Sequence, residues 1–367
     1  FIHGFKGFKD WGAFPDACEE LSKVGFGVLA MNFSHNGVGE NMVDFDQLDL
    51  FEKETLSRDL DDVGTIIEAV RSKEITSDKF VLDSDRVGII GGSGLYEMEG
   101  LEVEEQVDVK TPFGEPSDSY TLCNIEEREA AFLPRHGQGH RLLPGEVNYR
   151  ANIYGFKKLG VDRLIAVSAV GSLHEDIHPC DVVIPDQFID RTKGRADTFF
   201  GDGAVAHISF AEPICQEMAD VLAEKAEDEA TVHRGGTYLC MEGPAFSTKA
   251  ESHMYRSWGA DIIGMTNLQE AKLAREAEMC YATLAMVTDY DCWHESEEDV
   301  SVEVLQENLK KNAATSQAVL RSTVPEVPEQ RGCGCGSALE HAILTPAEQI
   351  PEETKEKLDI IAGEYLE

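Results

Sequence analysis

Five short apolar runs, RLIAVSAV, CDVVIP, TYLCM, ADIIGM and TLAMVT, recur across residues 163–288, in company with stretches of helical periodicity such as VNYRANIYGFKKLG and NLQEAKLAREAEMC. Buried strands that alternate with helices predict an α/β sandwich around a mostly parallel sheet. In such sheets binding sites gather at the carboxyl ends of the strands. Ser93, Ala169, Thr266 and Asp289 each stand at or just past the end of an apolar run, so the loops there are the natural place for a shared site.

The chain has 367 residues, 42% of them hydrophobic and only 13 of them proline, which is enough for one large core or two smaller ones. No apolar run approaches the roughly 20 residues that a membrane span needs. Phe1-Ile2-His3-Gly4 does not open a signal peptide, and a first residue other than Met points to a chain cut from something longer. The nine cysteines stand singly except for Cys333-Gly334-Cys335, which is neither a Cys-x-x-Cys zinc pair nor a disulfide framework in a chain this long. That usage fits a reducing cytoplasm, with oxidation of the Cys333/Cys335 pair as the alternative, and no metal site is expected. The net charge of −37 argues against nucleic acid, whose phosphates need Lys and Arg partners. It reads instead as a strongly solvated surface, of a kind that high salt would relieve of self-repulsion.

Residues 1–86 read differently from the remainder. FIHGFKGFKDWG leads to a strand-like FGVLAMNF, a loop SHNGVGENMVDFD, and a stretch in which Leu56, Leu60, Val63, Ile67 and Val70 recur at helical spacing. The segment resembles the front of an α/β-hydrolase, where a His-Gly, here His3-Gly4, turns backbone N–H groups toward an oxyanion and a later strand carries G-x-S-x-G at a sharp elbow. VGIIGGSGLYEM stands where that elbow belongs. Around Ser93 the motif needs glycines at 91 and 95, but residue 95 is Leu, and no succession of an acid and a histidine comes after it. Gly91-Gly92-Ser93-Gly94 is then either an ordinary turn or a cradle whose N–H groups and hydroxyl receive a phosphate.

From Val87 to about Val324, and more loosely to the C-terminus, seven pieces stand in one order: VGIIGGSGLY, LPRHGQGHRLLPGEVNYRANIYGFKKLG, VSAVGSL, DQFIDRT, MEGPAFSTKAES, WGADIIGMTNLQEAKLAREAEMCYATLAMVTDYDCW and VSVEVL. Together they resemble the purine nucleoside phosphorylase superfamily, and within it the branch acting on 5′-methylthio nucleosides of adenine. The resemblance implies a phosphorylase-type mixed sheet flanked by helices over residues 87–367, preceded by the partial hydrolase-like segment 1–86. It implies pentosyl transfer from S-methyl-5′-thioadenosine to inorganic phosphate, giving adenine and 5-methylthioribose 1-phosphate in purine and methionine salvage. Phosphate is then a co-substrate, and no metal or other cofactor is called for. A phosphorylase of broader purine nucleoside or methylthioinosine specificity is the alternative.

Phosphorolysis requires a phosphate held beside the anomeric carbon, tolerance of oxocarbenium character on the ribose, and neutralisation of the departing purine. The resemblance carries phosphate binding onto Ser93, Arg135, His136, Ser168, Ala169 and Thr266, with Arg135 supplying a planar fork of charge. Taken singly, Arg135 could be a surface ion-pairing residue, and His136 or His140 a structural histidine. Asp289 and Asp291 would lie on one face of a continuing strand, with Tyr290 opposite. Two such carboxylates at a strand end read equally as a solvated loop or half a metal site, the second disfavoured because no third ligand is spaced nearby. The resemblance gives them N7 and the exocyclic amino group of adenine, where a carboxyl that shares a proton can stabilise the leaving base.

On the sugar side the resemblance places Met265 under the ribose, although a lone Met is commonly core filler. Phe246, His207, Tyr290, Ser247, Val302 and Leu305 match positions lining the base and 5′ side, with Ser247, Val302 and Leu305 tied to substrate preference. An apolar wall there favours a methylthio group over a 5′-hydroxyl by roughly 1–3 kcal/mol. The resemblance further implies a homotrimer in which a neighbouring loop closes part of the 5′ pocket, with His207 near that edge.

Overall fold

A computed structural model describes Cys18 and residues 86–92, 102–294 and 302–366. The chain divides into two units, Phe1–Phe80 and Val81–Glu367, and the second holds the sheet, its helices and the site. The hydrolase-like reading, with His3-Gly4, and the Ser93 assignment lie outside the described residues, as do the side chains of Val302 and Leu305.

In chain order the elements are β1 (Arg86–Gly91), β2 (Glu102–Val107), β3 (Tyr120–Ile125), β4 (Arg128–Pro134), α1 (Tyr149–Lys158), β5 (Val161–Ser172), β6 (Val182–Ile184), β7 (Gln187–Arg191) and α2 (Gln216–Ala226). Then come β8 (Val232–Arg234), β9 (Thr237–Met241), α3 (Lys249–Ser257), β10 (Ile262–Gly264), α4 (Asn267–Glu276), β11 (Cys280–Tyr290), α5 (Val302–Thr323) and α6 (Glu352–Ala362). The strands join in one sheet in the order β2-β3-β4-β1-β5-β10-β9-β7, with β11 pairing both β5 and β6, and β8 beyond β6. Six of the ten pairings are parallel, so the sheet is mixed with a parallel majority.

β5 is the axis of the sheet. Its residues Arg163–Ser168 are all buried, because helices pack on the sheet and leave no solvated face for a polar alternation. α1 packs with α4 and α6, while α2 packs with α5 against β11. Gly88 permits the close approach of α1 to the sheet: a Cβ there would stand 2.7 Å from Val161 and 3.1 Å from Phe156. Among the described residues no helix is long and apolar enough to cross a membrane.

One break in the sheet positions everything functional. β1 accompanies β5 only as far as the Ile90–Ala166 pair, and β10 takes up the same side of β5 from the opposite direction at Gly171 and Ser172. Between them, residues 167–170 have no strand partner on that side among the described residues. A strand edge inside a sheet therefore opens as a notch, and Ala169, though central in β5, is exposed there.

Candidate active site

The notch is furnished from four directions. At its floor lies Arg135, the residue after β4, whose backbone N–H bonds to Gly91 O at the end of β1 (3.0 Å). Its guanidinium reaches under β1, where Nη1 donates to Val167 O (2.9 Å) and so satisfies one of the unpaired carbonyls of β5. Nε and Nη2 both face Glu270 of α4, and Nη2 also approaches Ile90 O. The side chains of Arg135 and Glu270 are 3% and 0% exposed. These bonds occupy four of the five guanidinium donors. The fork expected to face phosphate is thus turned largely onto a buried carboxylate, and one N–H remains.

The Tyr238 hydroxyl stands beside the Thr266 backbone and 3.3 Å from Ser168 Oγ, within hydrogen-bond distance. Gly264 makes this possible, because a Cβ at that position would collide with the phenolic oxygen. Thr266 is also the N-cap of α4, with no side-chain cap bond of its own. Its hydroxyl and the positive end of that helix face the same region. The acidic and amide residues of α4 are buried and individually satisfied: Asn267 donates to Thr283 (2.9 Å), and Gln269 to Thr192 (2.9 Å).

His136 stacks on His140 at 4.3 Å. Its Nδ1 lies 2.8 Å from Leu142 O, and since a carbonyl only accepts, Nδ1 carries the proton. Burial, then the adjacent Arg135 guanidinium, hold the imidazole down at about 4. Near neutral pH it is therefore uncharged, and its Nε2 is an acceptor rather than a cationic donor.

The two acids sit on the far side of β5. β11 runs parallel to β5, but its register slips between Val287 and Asp289, which pair with Val170 and Gly171. Thr288 is the extra residue. Its carbonyl accepts from Asn308 of α5 (3.0 Å), and Asn312 supports Val287 O (2.8 Å). The bulge re-aims the end of the strand and the two acids it carries. Asp289 Oδ1 accepts from the Thr288 hydroxyl at 2.5 Å. The strand ends at Tyr290, so Asp291 lies one residue beyond it, anchored through its N–H to Ser172 O (2.9 Å). Asp291 Oδ2 is buried with no hydrogen-bond partner among the described residues. Tyr290 turns to other neighbours: it stacks on His294 at 4.4 Å, meets Trp293 edge-on, and donates to Glu175 O.

The sugar-side residues are less closely gathered. Met265 is half-buried, its carbonyl accepts from Arg195 Nη1 (2.5 Å), and its sulfur fills the space that Gly243 leaves open. Arg195 also bonds the Met241 and Glu242 carbonyls, which ties three loops together. Ser247 is joined to the acids' end of the site through Cys292, whose thiol reaches Ser247 O (3.2 Å). Phe246, expected as pocket lining, is 83% exposed. His207 is exposed as well, and its N–H bonds Ala342 O (2.8 Å), which joins it to the C-terminal segment and not to the notch.

Glu270, Tyr238, Arg195 and Asn308 organise this site, and no sequence motif singled them out. A glutamate in the first turn of a largely buried helix was a legible hint for Glu270. Nothing local marked Tyr238 or Asn308, whose partners lie 70 and 20 residues away.

Residues 86–325 match the family described as the phosphorylase superfamily. The chain belongs to that superfamily. Among its members, the S-methyl-5′-thioadenosine phosphorylase of Geobacter sulfurreducens is 60% identical over 282 residues, which cover 76% of this chain and 99% of that protein. Of solved superfamily structures, a methylthioadenosine phosphorylase from an Antarctic soil metagenomic library is 52% identical, with a TM-score of 0.73, over 76% of this chain and 99% of that one. A variant of adenosine/methylthioadenosine phosphorylase from Schistosoma mansoni, solved with methylthioadenosine, is 36% identical with a TM-score of 0.63, over 67% and 93% of the two chains. The phosphorylase fold expected from the sequence, a mixed sheet flanked by helices, is the fold observed.

Proposed function

We propose that this superfamily member cleaves S-methyl-5′-thioadenosine with inorganic phosphate, releasing adenine and 5-methylthioribose 1-phosphate. The observation that carries the reading is the match to a methylthioadenosine phosphorylase at 60% identity across 99% of that protein's length. The site is chemically consistent with it. Phosphate lies in the β5 notch, held by the Ser168 and Thr266 hydroxyls, backbone N–H groups near Ala169 and the remaining Arg135 donor, with Ser93 assigned to it by the sequence resemblance. Neutral His136 accepts a P–OH hydrogen through Nε2. This keeps the bound anion from facing a lone pair unprotonated.

The purine sits against Asp289 and Asp291. The free Oδ2 of Asp291 accepts from the exocyclic amino group, and a proton shared between Asp289 and N7 leaves with the base, so negative charge on the departing purine is neutralised as the glycosidic bond breaks. Met265 lies under the ribose, with Tyr290, Phe246, Ser247, Val302 and Leu305 toward the base and 5′ side. No metal or nucleotide cofactor enters the reaction.

The assembly is a homotrimer. The exposure of Phe246 and His207 supports this, since both lining assignments require cover that the described residues do not provide. The nine free cysteines fit a cytoplasmic place in purine and methionine salvage. The test is incubation with methylthioadenosine with and without phosphate: adenine release that depends on phosphate and is matched by 5-methylthioribose 1-phosphate is expected, and release unchanged without phosphate would make the enzyme a hydrolase.

A further inference from the structure

Four of the nine cysteines, only two of them close in sequence, converge at the end of the sheet opposite the active site. Cys215 caps the start of α2, Cys280 opens β11, and Cys333 and Cys335 flank a tight turn in the C-terminal segment. Their sulfurs all lie within 4.8 Å of one another, with Cys215, Cys280 and Cys335 buried and Cys333 half-buried. The Cys280–Cys333 separation is 3.4 Å. In sequence only Cys333-Gly334-Cys335 stood together, read as neither a zinc pair nor a disulfide framework. The Cys-Gly-Cys turn lacked only its partners, which come from 53 and more residues away.

We infer that Cys215, Cys280, Cys333 and Cys335 form a tetrathiolate site for a thiophilic divalent cation, zinc in the first instance. Four thiolates at about 2.3 Å from a tetrahedral zinc would stand about 3.8 Å apart along every edge. The six observed separations, none above 4.8 Å, fit that arrangement, whereas two disulfides would need only two close pairs and no mutual packing of all four sulfurs. Four protein ligands leave no open position, so the metal is structural. Cys280 and Asp289 lie at opposite ends of β11, about 30 Å apart at strand rise, which places the cation outside the chemistry. Its effect is to fasten the C-terminal segment to β11 and α2. Binding releases the protons of the four thiols, Zn²⁺ exchanging for up to about four H⁺.

The full chain, reduced and stripped with chelator, is titrated with Co²⁺ and then Zn²⁺. We expect saturation at one metal per chain, tetrahedral d–d bands with sulfur-to-cobalt charge transfer, displacement of Co²⁺ by Zn²⁺, and a raised thermal midpoint with unchanged turnover. Cys333→Ser, at the most accessible ligand, is expected to weaken Co²⁺ binding about tenfold or more. Absence of the thiolate spectrum in the reduced wild type would overturn the inference, as would Co²⁺ binding unaltered in Cys333→Ser. Recovery of the four cysteines as two disulfides from protein prepared anaerobically with thiol reductant would overturn it too.

Discussion

Arg135 and Glu270 form a two-point ion pair buried beneath the end of β1, and the pair rather than the arginine alone is the unit that faces the notch. The positive charge in this position is already compensated, so the proposed phosphate binding would depend on directed hydrogen bonds more than on net charge. Breaking such a pair strands the other charge. Glu270→Ala is expected to destabilise the fold by about 3–5 kcal/mol, and Glu270→Gln by less, because the amide oxygen still accepts from the guanidinium. Urea unfolding midpoints of the two variants check the order, and equal loss in both would mean that shape, not charge, is what Glu270 supplies.

Tyr238 should act on phosphate without touching it. Its hydroxyl bonds Ser168 Oγ, so Tyr238→Phe leaves the serine in place but removes the bond that orients it. A rise in KM for phosphate of about three- to tenfold is expected, at the scale of one lost hydrogen bond, with KM for the nucleoside unchanged at saturating phosphate. If the nucleoside KM rose by the same factor, Tyr238 would be a general packing residue.

Glu276 gives the fold a pH dependence of its own. Its carboxyl is buried between Thr198 and Phe199, and burial pushes it up to about 7 from an ordinary 4.5. The folded protein then keeps this proton until near neutrality while the unfolded chain gives it up near 4.5. The unfolded state is therefore favoured progressively as pH rises through that window, and the loss is complete above about 7. Thermal midpoints of wild type and Glu276→Gln, compared at about pH 5 and about pH 8, should diverge least in acid if the amide mimics the protonated acid, with the variant gaining on the wild type at the higher pH. A constant difference across the range would place the titration elsewhere.

The strands around the site were legible because each is an apolar run closed by a polar residue, and a parallel sheet gathers such ends. Ala169, Thr266 and Asp289 could be placed that way. What could not be read locally was the use made of Arg135. A guanidinium looks the same in sequence whether it faces phosphate or a glutamate 135 residues away. The bulge at Thr288 was equally hidden, since it depends on α5 offering Asn308 to a carbonyl. Phe246 and His207 match the motif and yet are exposed among the described residues, because burial depends on contacts that no local pattern records.

Asp289 and Asp291 should separate by function once each is made an amide. Asp291 has a buried, unpartnered oxygen, an acceptor suited to an amino group. Asp291→Asn keeps one carbonyl oxygen for that role but brings an NH₂ that a 6-oxo group would accept. Asp289 Oδ1 accepts from the Thr288 hydroxyl, and in the proposed reaction its carboxyl carries the proton shared with the purine. Asp289→Asn removes that proton carrier, and kcat with methylthioadenosine should fall by about 10²–10⁴-fold, the range of lost general-acid assistance. Asp291→Asn should instead act mainly on KM and narrow the preference for adenine over hypoxanthine nucleosides. Measuring kcat and KM for both variants on methylthioadenosine and methylthioinosine resolves the assignment. If the large kcat defect appeared in Asp291→Asn and the altered purine preference in Asp289→Asn, the two acids would exchange roles, and the orphaned oxygen would be the one that carries the proton.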